Sequence, residues 1–363
     1  MSGIWVLRSF EALEPSRESW DRLAGLGGCA EPFMHWEWVR VCATQGPYRL
    51  EPYVLVDMEG DVVRAIGPFG RLGKVPGRRR IMWLGRGPSD YQAVLSDGAS
   101  EGERRVWAAL LERTDWDWIE LDPLAQPEAE TLQRMLEPGK MSASYQPKGL
   151  CPVLDLRQEA RASAVKAAQY EWRRLARGGR LEVRKAEEPE ALDALLAGLF
   201  DLHQRRWSGP TPSRFADAAV RRWFAALSRA WSRAGCLDAR GLYLEDRLIA
   251  AHLGACTRER FYYHTPAFDP AFAKHSPGNI LIWKLIEDCR ARGVRWFDFL
   301  RGDEQYKHIW GADAGTPYGR LRIVRNRLGL RGLPETFDRL GSALAKTPGA
   351  RAAARTIKDL LGE

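Results

Sequence analysis

The chain lacks any long apolar run. Although 45% of its 363 residues are hydrophobic, no apolar segment approaches the ~20 residues that span a bilayer. The first twenty residues, MSGIWVLRSFEALEPSRESW, contain no uninterrupted apolar stretch of the length that a signal peptide needs. These absences predict a soluble, cytoplasmic protein.

Clustered cysteines are also lacking. The six cysteines stand singly, at Cys29, Cys42, Cys151, Cys236, Cys256 and Cys289. With no C-x-x-C pair and no Cys/His cluster, the sequence predicts neither a disulfide framework nor a metal site, and it suits a reducing compartment.

Glycine-rich phosphate loops are missing as well. No G-x-G-x-x-G or Walker sequence occurs, and GPFGRLGKV (67–75) has the wrong glycine spacing, which predicts a turn. Even so, a net charge of +8 and a pI near 9.3 favour anionic partners.

Two similar halves are present. Each begins with a hairpin pattern, at 53–69 and 242–255, and each later has a Trp that opens an apolar-acid-apolar strand, Trp118 and Trp296. A helical pattern precedes each of these strands. A diverged tandem repeat is therefore predicted, with chance similarity of two α/β halves as the alternative.

Length supports two domains, because a single core rarely grows beyond ~250–300 residues. The Gly-, Pro- and Ser-containing stretch 136–157 predicts a segment crossing between domains, with the boundary near residue 150. The predicted units are domain one (1–150), domain two (151–333) and a helical tail (334–363). The tail is expected to dock on the body, with a peripheral membrane contact as the alternative.

The second half has more helix than the first. Residues 161–177, 189–207 and 215–233 favour helices, with Trp207, Trp223 and Trp231 packing inward.

One strand–helix–strand unit is strongly signalled. Strands are predicted at 260–268 and 294–300, with a helix between them that starts after Ser276 and Pro277 and ends at Gly293. Such a crossover makes adjacent parallel strands and leaves the helix N-terminus free. That end could bind a phosphate or carboxylate, or Ser276 could simply cap it.

The second strand leads into a charged turn, FDFLRGDEQYKHIW (297–310). Asp298 is either buried and hydrogen-bonded or directed to a cleft. Tyr306, Ile309 and Trp310 fall at helical spacing and are expected to pin the segment, while Lys307 on its own could be a solvated lysine.

The series YYHTPAFDPAFAKHSPGNILIWKLIEDCRARGVRWFDFLRGDEQYKHIWG resembles the conserved core of the CelD-like, cellulose-biosynthesis-associated acyltransferases of the GNAT superfamily, which are relatives of the FemAB aminoacyltransferases. LHQRRW (202–207) and RLIAAHLGA (247–255) are in register with it, and 32–40 and 84–95 are more weakly similar. The resemblance implies an α/β (α+β) fold of two tandem GNAT-like domains, with mixed sheets flanked by helices.

The same resemblance implies an N-acyltransferase. It would transfer an acyl group, acetyl first, from acyl-CoA to an amine on a small molecule or a polysaccharide precursor. Acyl-CoA would be a cosubstrate rather than a tightly bound cofactor. Lys307 matches the lysine of the Fem Phe-Lys-x-x-Phe-Gly motif, which lies by the donor site. The Gln/Arg-x-x-Gly-x-Gly/Ala pyrophosphate loop of ordinary GNAT enzymes is replaced here by KHSPGN, and the coiled-coil insertion of many Fem proteins is absent.

Candidate site residues follow from this interpretation. The catalytic candidates are Lys307, His264, Asp298 and Asp90. The donor-binding candidates are Ser276, Pro277, Gly278, Asn279, Lys307 and Arg301. The substrate-binding candidates are Asp90, Tyr91, His203, Arg206, Trp207, His252 and Tyr263. The general base stays open among Asp90, His203, His252 and His264, and backbone N–H groups of 260–265 are the expected oxyanion donors.

Two other functions compete with acyl-CoA transfer. Basic stretches at 161–185 and 320–331 suggest tRNA as the donor, as in Fem enzymes. A non-catalytic module that binds a nucleotide sugar or a partner is the third possibility. No DNA binding is predicted. The acceptor, the acyl chain length and the choice between monomer and homodimer are left open.

Overall fold

The computed structural model describes residues 3–28, 31–73, 78–98, 100–207 and 212–325. The predicted tail at 334–363 lies outside these residues, as do Cys29 and the basic residues beyond Arg325. Contacts divide the chain into two compact units. Of the described residues, unit 1 comprises those up to Lys148 together with 318–325, and unit 2 comprises those between Gly149 and Pro317.

Unit 1 begins with a strand, four short helices and a hairpin. In chain order its elements are β1 (Gly3–Leu7), α1 (Phe10–Leu13), α2 (Arg17–Ala24), α3 (Glu31–Met34), α4 (Trp36–Gln45), β2 (Glu51–Glu59), β3 (Val62–Leu72), β4 (Arg80–Trp83), β5 (Leu95–Ser96), α5 (Ser100–Glu112), β6 (Trp118–Ala125) and α6 (Gln126–Met135). A long strand, β7 (Met141–Asp155), then leads out of unit 1.

Unit 2 carries longer helices. Its elements are α7 (Ala162–Ala176), β8 (Leu181–Lys185), α8 (Pro189–Arg206), α9 (Ala218–Arg233), β9 (Leu237–Leu244), β10 (Arg247–Cys256), β11 (Arg260–Phe268), α10 (Pro277–Ala291), β12 (Trp296–Asp298), α11 (Gln305–Ile309) and β13 (Ala314–Arg325), the last of which returns to unit 1.

The two units share one strand plan. Unit 1 has the order β1-β2-β3-β4-β6-β13 and unit 2 the order β8-β9-β10-β11-β12-β7. In each, the fourth and fifth strands are parallel and are joined by a helix, α5 or α10. All the other neighbouring pairs in these two series are antiparallel. The tandem arrangement of mixed sheets flanked by helices is therefore confirmed.

The sixth strand of each unit comes from the other half of the sequence. The end of β7 pairs with β12, through Val153–Asp155, whereas the end of β13 pairs with β6, through Tyr318–Val324. The stretch 136–157, interpreted as a crossing segment, is thus largely strand. Its Gly, Pro and Ser content favoured a loop, and the strand forms because its end pairs with β12, which is distant in sequence.

Each unit has its own core. In unit 1, α5 packs on Phe69, Trp83, Ile119 and Leu121; in unit 2, α10 and α7 pack on Phe261, Tyr263, Phe297 and Phe299. The predicted stripe Ile282, Leu285, Ile286 and Cys289 of α10 is buried in the second core, as expected.

Four sequence predictions need correction. Gly67–Leu72, interpreted as a turn, lies in β3, because both neighbouring strands pair with it. The strand predicted at 294–300 is confined to Trp296–Asp298 because the chain turns at Leu300, whose φ is +58°. Trp207 is 47% exposed rather than packed inward, since it follows the last turn of α8, and Ile309 is 41% exposed, so Tyr306 and Trp310 pack the turn on the core more fully than Ile309 does.

No helix within the described ranges is long and apolar enough to cross a membrane.

Candidate functional site

A cavity of about 180 Å³ opens in unit 2 at the N-terminus of α10. It is lined by Arg206, Tyr263, Pro266, Ala267, Phe268, Ala273, Ser276, Pro277, Gly278, Asn279, Ile282 and Tyr306. The end of β11, the tip of α10 with the turn before it, the last residue of α8 and the helix α11 therefore build it.

The α10 tip presents backbone to the cavity. Ser276 occupies the N-cap position with a left-handed conformation (φ +45°), and its side chain makes no capping hydrogen bond, contrary to the simple capping interpretation. Its carbonyl accepts the N–H groups of Asn279 and Ile280 at 2.9 and 3.2 Å. Pro277 has no N–H to donate. The Gly278 N–H is therefore the first of this helix, and it has no acceptor among the described residues. The first turn contains no acidic residue, so the positive end of the helix dipole is not neutralised there.

β12 is shorter than β11, so the part of β11 beside the cavity is not paired with β12. The two strands pair only from Arg260 to Tyr262, while β11 continues to Phe268. Beyond Tyr262 this edge of β11 does not pair with β12. It borders the cavity instead, through Tyr263, Pro266 and Phe268.

Two tyrosines face this space. In the part of the chain that the structure describes, neither Tyr263 nor Tyr306 has a hydrogen-bond partner for its phenol, and both line the cavity. Burial raises the pKa of Tyr263 well above its usual value, with a further contribution from Tyr306. Burial followed by the charge of Glu304 likewise raises the pKa of Tyr306. Both phenols therefore stay protonated at neutral pH and can act as hydrogen-bond donors.

Arg206 supplies the cation of the cavity. Its guanidinium stacks on the ring of Phe268, with 4.6 Å from Cζ to the centroid. It forms no ion pair with any described carboxylate, so its charge is available to an anionic ligand.

Lys307 lies next to the cavity but does not line it. It is only 1% exposed. Its ammonium donates to the carbonyl oxygens of Leu300, Arg301 and Gly302 at 3.0, 2.8 and 3.2 Å, and the Glu304 carboxylate lies 2.8 Å away. The solvated-lysine interpretation is thus wrong. The geometry is that of a buried cation which fixes the turn leading into Tyr306.

Asp298 and Arg301 flank this turn. Asp298 is fully buried, pairs with Arg260 at 2.8 Å and accepts the Leu300 N–H at 2.8 Å. Arg301 is half-buried and offers its carbonyl to Lys307. Neither lines the cavity.

The candidate histidines lie elsewhere in unit 2. His264 alternates with Tyr263 on β11 and packs between the rings of Phe224 and Trp231 on α9. His203 bonds to Ser213 at 2.8 Å, and burial together with the charges of Arg214 and Arg206 lowers its pKa to about 4.

His252 is fully buried and stacks on Tyr263 at 5.0 Å. Burial lowers its pKa well below the usual range. Both His203 and His252 are therefore neutral at pH 7 and poorly matched to a base operating near that pH.

Asp90 and Tyr91 belong to unit 1, in the irregular segment between β4 and β5. Tyr91 is 7% exposed and packs 6.2 Å from Phe33, whereas Asp90 is half-buried.

The cavity thus brings together six of the predicted residues: Arg206, Tyr263, Ser276, Pro277, Gly278 and Asn279. It leaves out Lys307, Asp298, Arg301, His203, Trp207, His252 and His264. Tyr306 was missed as a site residue, because its helical spacing with Trp310 suggested packing alone. Its position beside the motif lysine was the available signal.

Comparison with known proteins agrees with this geometry. Residues 162–308, which contain all twelve residues that line the cavity, match the acetyltransferase (GNAT) domain family. No curated protein matches the chain.

Solved structures share the fold over most of the chain. FemX aligns with a TM-score of 0.58 at 11% identity, over 84% of this chain and 95% of FemX. L-PGS from Bacillus licheniformis aligns with a TM-score of 0.51 at 12% identity, over 82% and 89%. A conserved protein of unknown function from Bacteroides thetaiotaomicron aligns with a TM-score of 0.52 at 10% identity, over 89% and 100%. Residues 162–308 are thus similar to GNAT acetyltransferase domains, and at these identities the likeness to the solved structures, FemX among them, concerns the fold alone.

Proposed function

We propose that the protein is an N-acyltransferase that transfers an acyl group, acetyl first, from acyl-CoA to an amine, and that it belongs to the CelD-like branch acting on a polysaccharide or envelope precursor. The supporting observation is the cavity at the α10 tip, where the Gly278 N–H and the Arg206 guanidinium face the part of β11 that is not paired with β12.

The α10 tip and Arg206 suit the phosphates of such a donor. A helix N-terminus with a free N–H attracts an anion, and a guanidinium adds charge-assisted hydrogen bonds. The cavity is smaller than the ~300–1,000 Å³ typical of sites that enclose a whole ligand. It would therefore hold a segment of acyl-CoA rather than the entire molecule.

The tyrosines suit the chemical step. The amine nitrogen forms a bond to the acyl carbon, the carbon–sulfur bond breaks, and the thiolate takes a proton while the amine loses one. A protonated phenol of Tyr263 or Tyr306 would donate to the carbonyl oxygen or to the departing sulfur. Lys307 would act as a positioning residue for Tyr306 rather than as a ligand of the donor.

Arg206→Ala tests this function. Loss of one charge-assisted contact is expected to raise the KM for acetyl-CoA about tenfold, measured as thiol release with a panel of amino sugars. Arg258→Ala is the matched control, because Arg258 is exposed in the turn before β11, at the other end of that strand. Equal KM values in the two variants would contradict the assignment of the donor site.

Aminoacyl-tRNA is the second candidate donor, as in the Fem-type enzymes that the sequence resembles. Exposed Lys166, Arg173 and Arg177 follow one face of α7 beside Tyr170, which is 62% exposed. Much of the basic stretch is nevertheless ion-paired, including Arg174 with Glu171 and Arg184 with Asp246.

Salt dependence separates the donors. Affinity for charged tRNA should fall steeply between 50 and 200 mM salt, whereas acyl-CoA turnover should change little. Ligand binding without any thiol or tRNA release would instead favour a non-catalytic module.

A further inference from the structure

A second cavity, of about 80 Å³, lies beside the tip of α10. It is bounded by α7, by the start of α10 and by the end of α11 with Trp310, and we call it the α7 cavity. Ser276 and Asn279 line both this cavity and the donor cavity. The two spaces therefore adjoin at the helix tip, and one ligand can extend from the first into the second.

The indole N–H of Trp310 lacks an acceptor. Trp310 borders the α7 cavity and is fully buried, and its Nε1 has no hydrogen-bond partner among the described residues. A buried donor that is left unpaired loses the hydrogen bond that water would have given it. An oxygen of a ligand in the α7 cavity would supply the missing acceptor.

Other polar side chains line the same space. Glu171 on α7 accepts a hydrogen bond from His275 Nδ1 at 2.7 Å. The Ser276 hydroxyl does not cap α10, and the Asn279 amide forms no hydrogen bond within the part of the chain that the structure describes. The wall therefore offers both donors and acceptors, which is the combination that hydroxyl groups satisfy.

The composition of this wall favours a neutral ligand. Among the described residues no Lys or Arg lines the α7 cavity. A phosphate there would find His275 as its cation, and that histidine is already bonded to Glu171. An alkyl chain would leave the Trp310 N–H unpaired. A hydroxyl-bearing ring meets both conditions, because its oxygens can reach the polar groups while its C–H groups pack on Ala164 and Ile280.

The volume limits how much of a ring can enter. About 80 Å³ is available, compared with the ~150 Å³ of a cavity that encloses benzene. Ala164, Ala167 and Ala168 of α7 leave this room because their side chains end at Cβ. Ala167 and Ile309 are exposed, so the α7 cavity is open to solvent beside them. A ring would therefore enter by one edge, with the rest of the ligand outside.

We propose that the α7 cavity is a subsite for a sugar ring joined to the phosphate that the α10 tip holds. The inference rests on the proposed function for the position of that phosphate. Two ligands have this chemistry: coenzyme A, in which a ribose follows the diphosphate, and a glycosyl phosphate acceptor, in which a hexose carries the phosphate. In either ligand a sugar oxygen accepts from the Trp310 N–H, and hydroxyls bond to Ser276 and Asn279.

Calorimetric titration of the full-length protein with two pairs of ligands tests the subsite. CoA is compared with 4′-phosphopantetheine, which lacks the ribose, and glucosamine 1-phosphate is compared with inorganic phosphate. Ala167→Leu extends an exposed side chain of α7 into the cavity. It should weaken binding of the sugar-bearing ligand of one pair about tenfold and leave its sugar-free counterpart unchanged. The pair that responds identifies the source of the ring.

Ala176→Leu is the matched control, because Ala176 is an exposed alanine at the end of α7 that does not line the cavity. Its affinities should equal those of the wild type. Trp310→Phe removes the indole N–H and should lower the affinity for the same sugar-bearing ligand about fivefold, with melting curves to confirm that the variant is folded.

Three results would overturn the proposal. They are equal affinities of Ala167→Leu and Ala176→Leu for all four ligands, equal weakening of both members of a pair by Ala167→Leu, and no binding of either sugar-bearing ligand to the wild type. Thiol release from acetyl-CoA tests the proposed function separately. Turnover without a sugar effect would overturn this inference alone, and a sugar effect without turnover would overturn the acyl transfer alone.

Discussion

The two units share more than their strand order. In unit 1, Arg80 on β4 lies over the ring of Trp118 at 5.1 Å and is paired with Glu120 two residues further along β6. In unit 2, Arg260 lies over Trp296 at 5.5 Å and pairs with Asp298, again two residues further on. The same arginine–tryptophan–acid arrangement therefore holds the parallel strand pair in both units.

The two units differ at the position three residues after that arginine, which is Trp83 in unit 1 and Tyr263 in unit 2. Trp83 of unit 1 is fully buried, stacks on Phe69 at 5.4 Å and donates from Nε1 to the Pro123 carbonyl at the end of β6. Tyr263 stands at the equivalent place in unit 2 and lines the cavity. The larger side chain of Trp83 is thus buried and bonded across to the fifth strand of unit 1, whereas Tyr263 borders a cavity in unit 2.

Their crossover helices differ as well. The first turn of α5 contains Glu101 and Glu103, whereas that of α10 contains no acid. Carboxylates at a helix N-terminus neutralise the dipole and repel a phosphate. Under the proposed function, this difference accounts for a donor site in unit 2 and not in unit 1, because only in unit 2 is the strand gap open and the helix tip free of acids.

The largest expected effect comes from making unit 2 resemble unit 1. Tyr263→Trp should fill the cavity and lower kcat/KM for acetyl-CoA by about 100-fold, at a stability cost of about 1–3 kcal/mol from overpacking. Steady-state kinetics and thermal melts measure both. Tyr263→Phe is the matched control, because it keeps the shape of the ring but lacks the phenol hydroxyl. Wild-type turnover in the Tyr263→Trp variant would show that the cavity takes no part in the reaction.

Lys307→Met comes next. Three carbonyl groups lose a buried donor, so the free energy of unfolding should fall by about 3 kcal/mol and kcat should drop as Tyr306 loses its support. Urea melts and initial rates test this, with Lys166→Met, an exposed lysine on α7, as control. If affinity for desulfo-CoA falls while kcat is retained, Lys307 is a donor ligand and the positioning role is wrong.

Asn279→Glu gives the α10 tip an acid like those of α5. Binding of CoA should weaken about tenfold because charge repulsion replaces attraction, while the melting temperature stays level or rises, since an acid stabilises a helix N-terminus. Calorimetric titration and melts give the two readouts, and Asn279→Gln controls for size. A loss of both affinity and stability would point to misfolding instead.

The smallest effect on turnover comes from a titratable residue of unit 1, whose charge affects stability instead. Burial and the nearby charge of Glu103 raise the pKa of Glu128 on α6 to about 8, above the ~4.3 of an unfolded chain. Its contribution to stability is therefore complete below about pH 4 and is lost as the pH rises towards 8. Glu128→Gln should flatten the slope of the stability profile between pH 5 and 8 by on the order of 1 kcal/mol per pH unit. Glu130→Gln, an exposed neighbour, should leave the slope unchanged.

Local signals in the sequence were sufficient for the strand–helix–strand unit of the second half. Periodicity and the Ser-Pro-Gly start predicted α10, observed as Pro277–Ala291, and β-rich composition predicted β11, observed as Arg260–Phe268. Five of the six predicted residues that line the cavity lie on these two elements or at the N-cap of α10, and the sixth, Arg206, ends the predicted helix α8.

Strands and contacts that form only with residues distant in sequence were not predictable. β7 becomes a strand because its end pairs with β12, and β13 because its end pairs with β6, far away in sequence. Lys307 looked like either a solvated side chain or a ligand until the left-handed turn at Leu300 brought three carbonyls around its ammonium. Propensity and periodicity act over a few residues and so determined the elements. The cavity and the buried lysine exist only where chain folding brings remote groups close together.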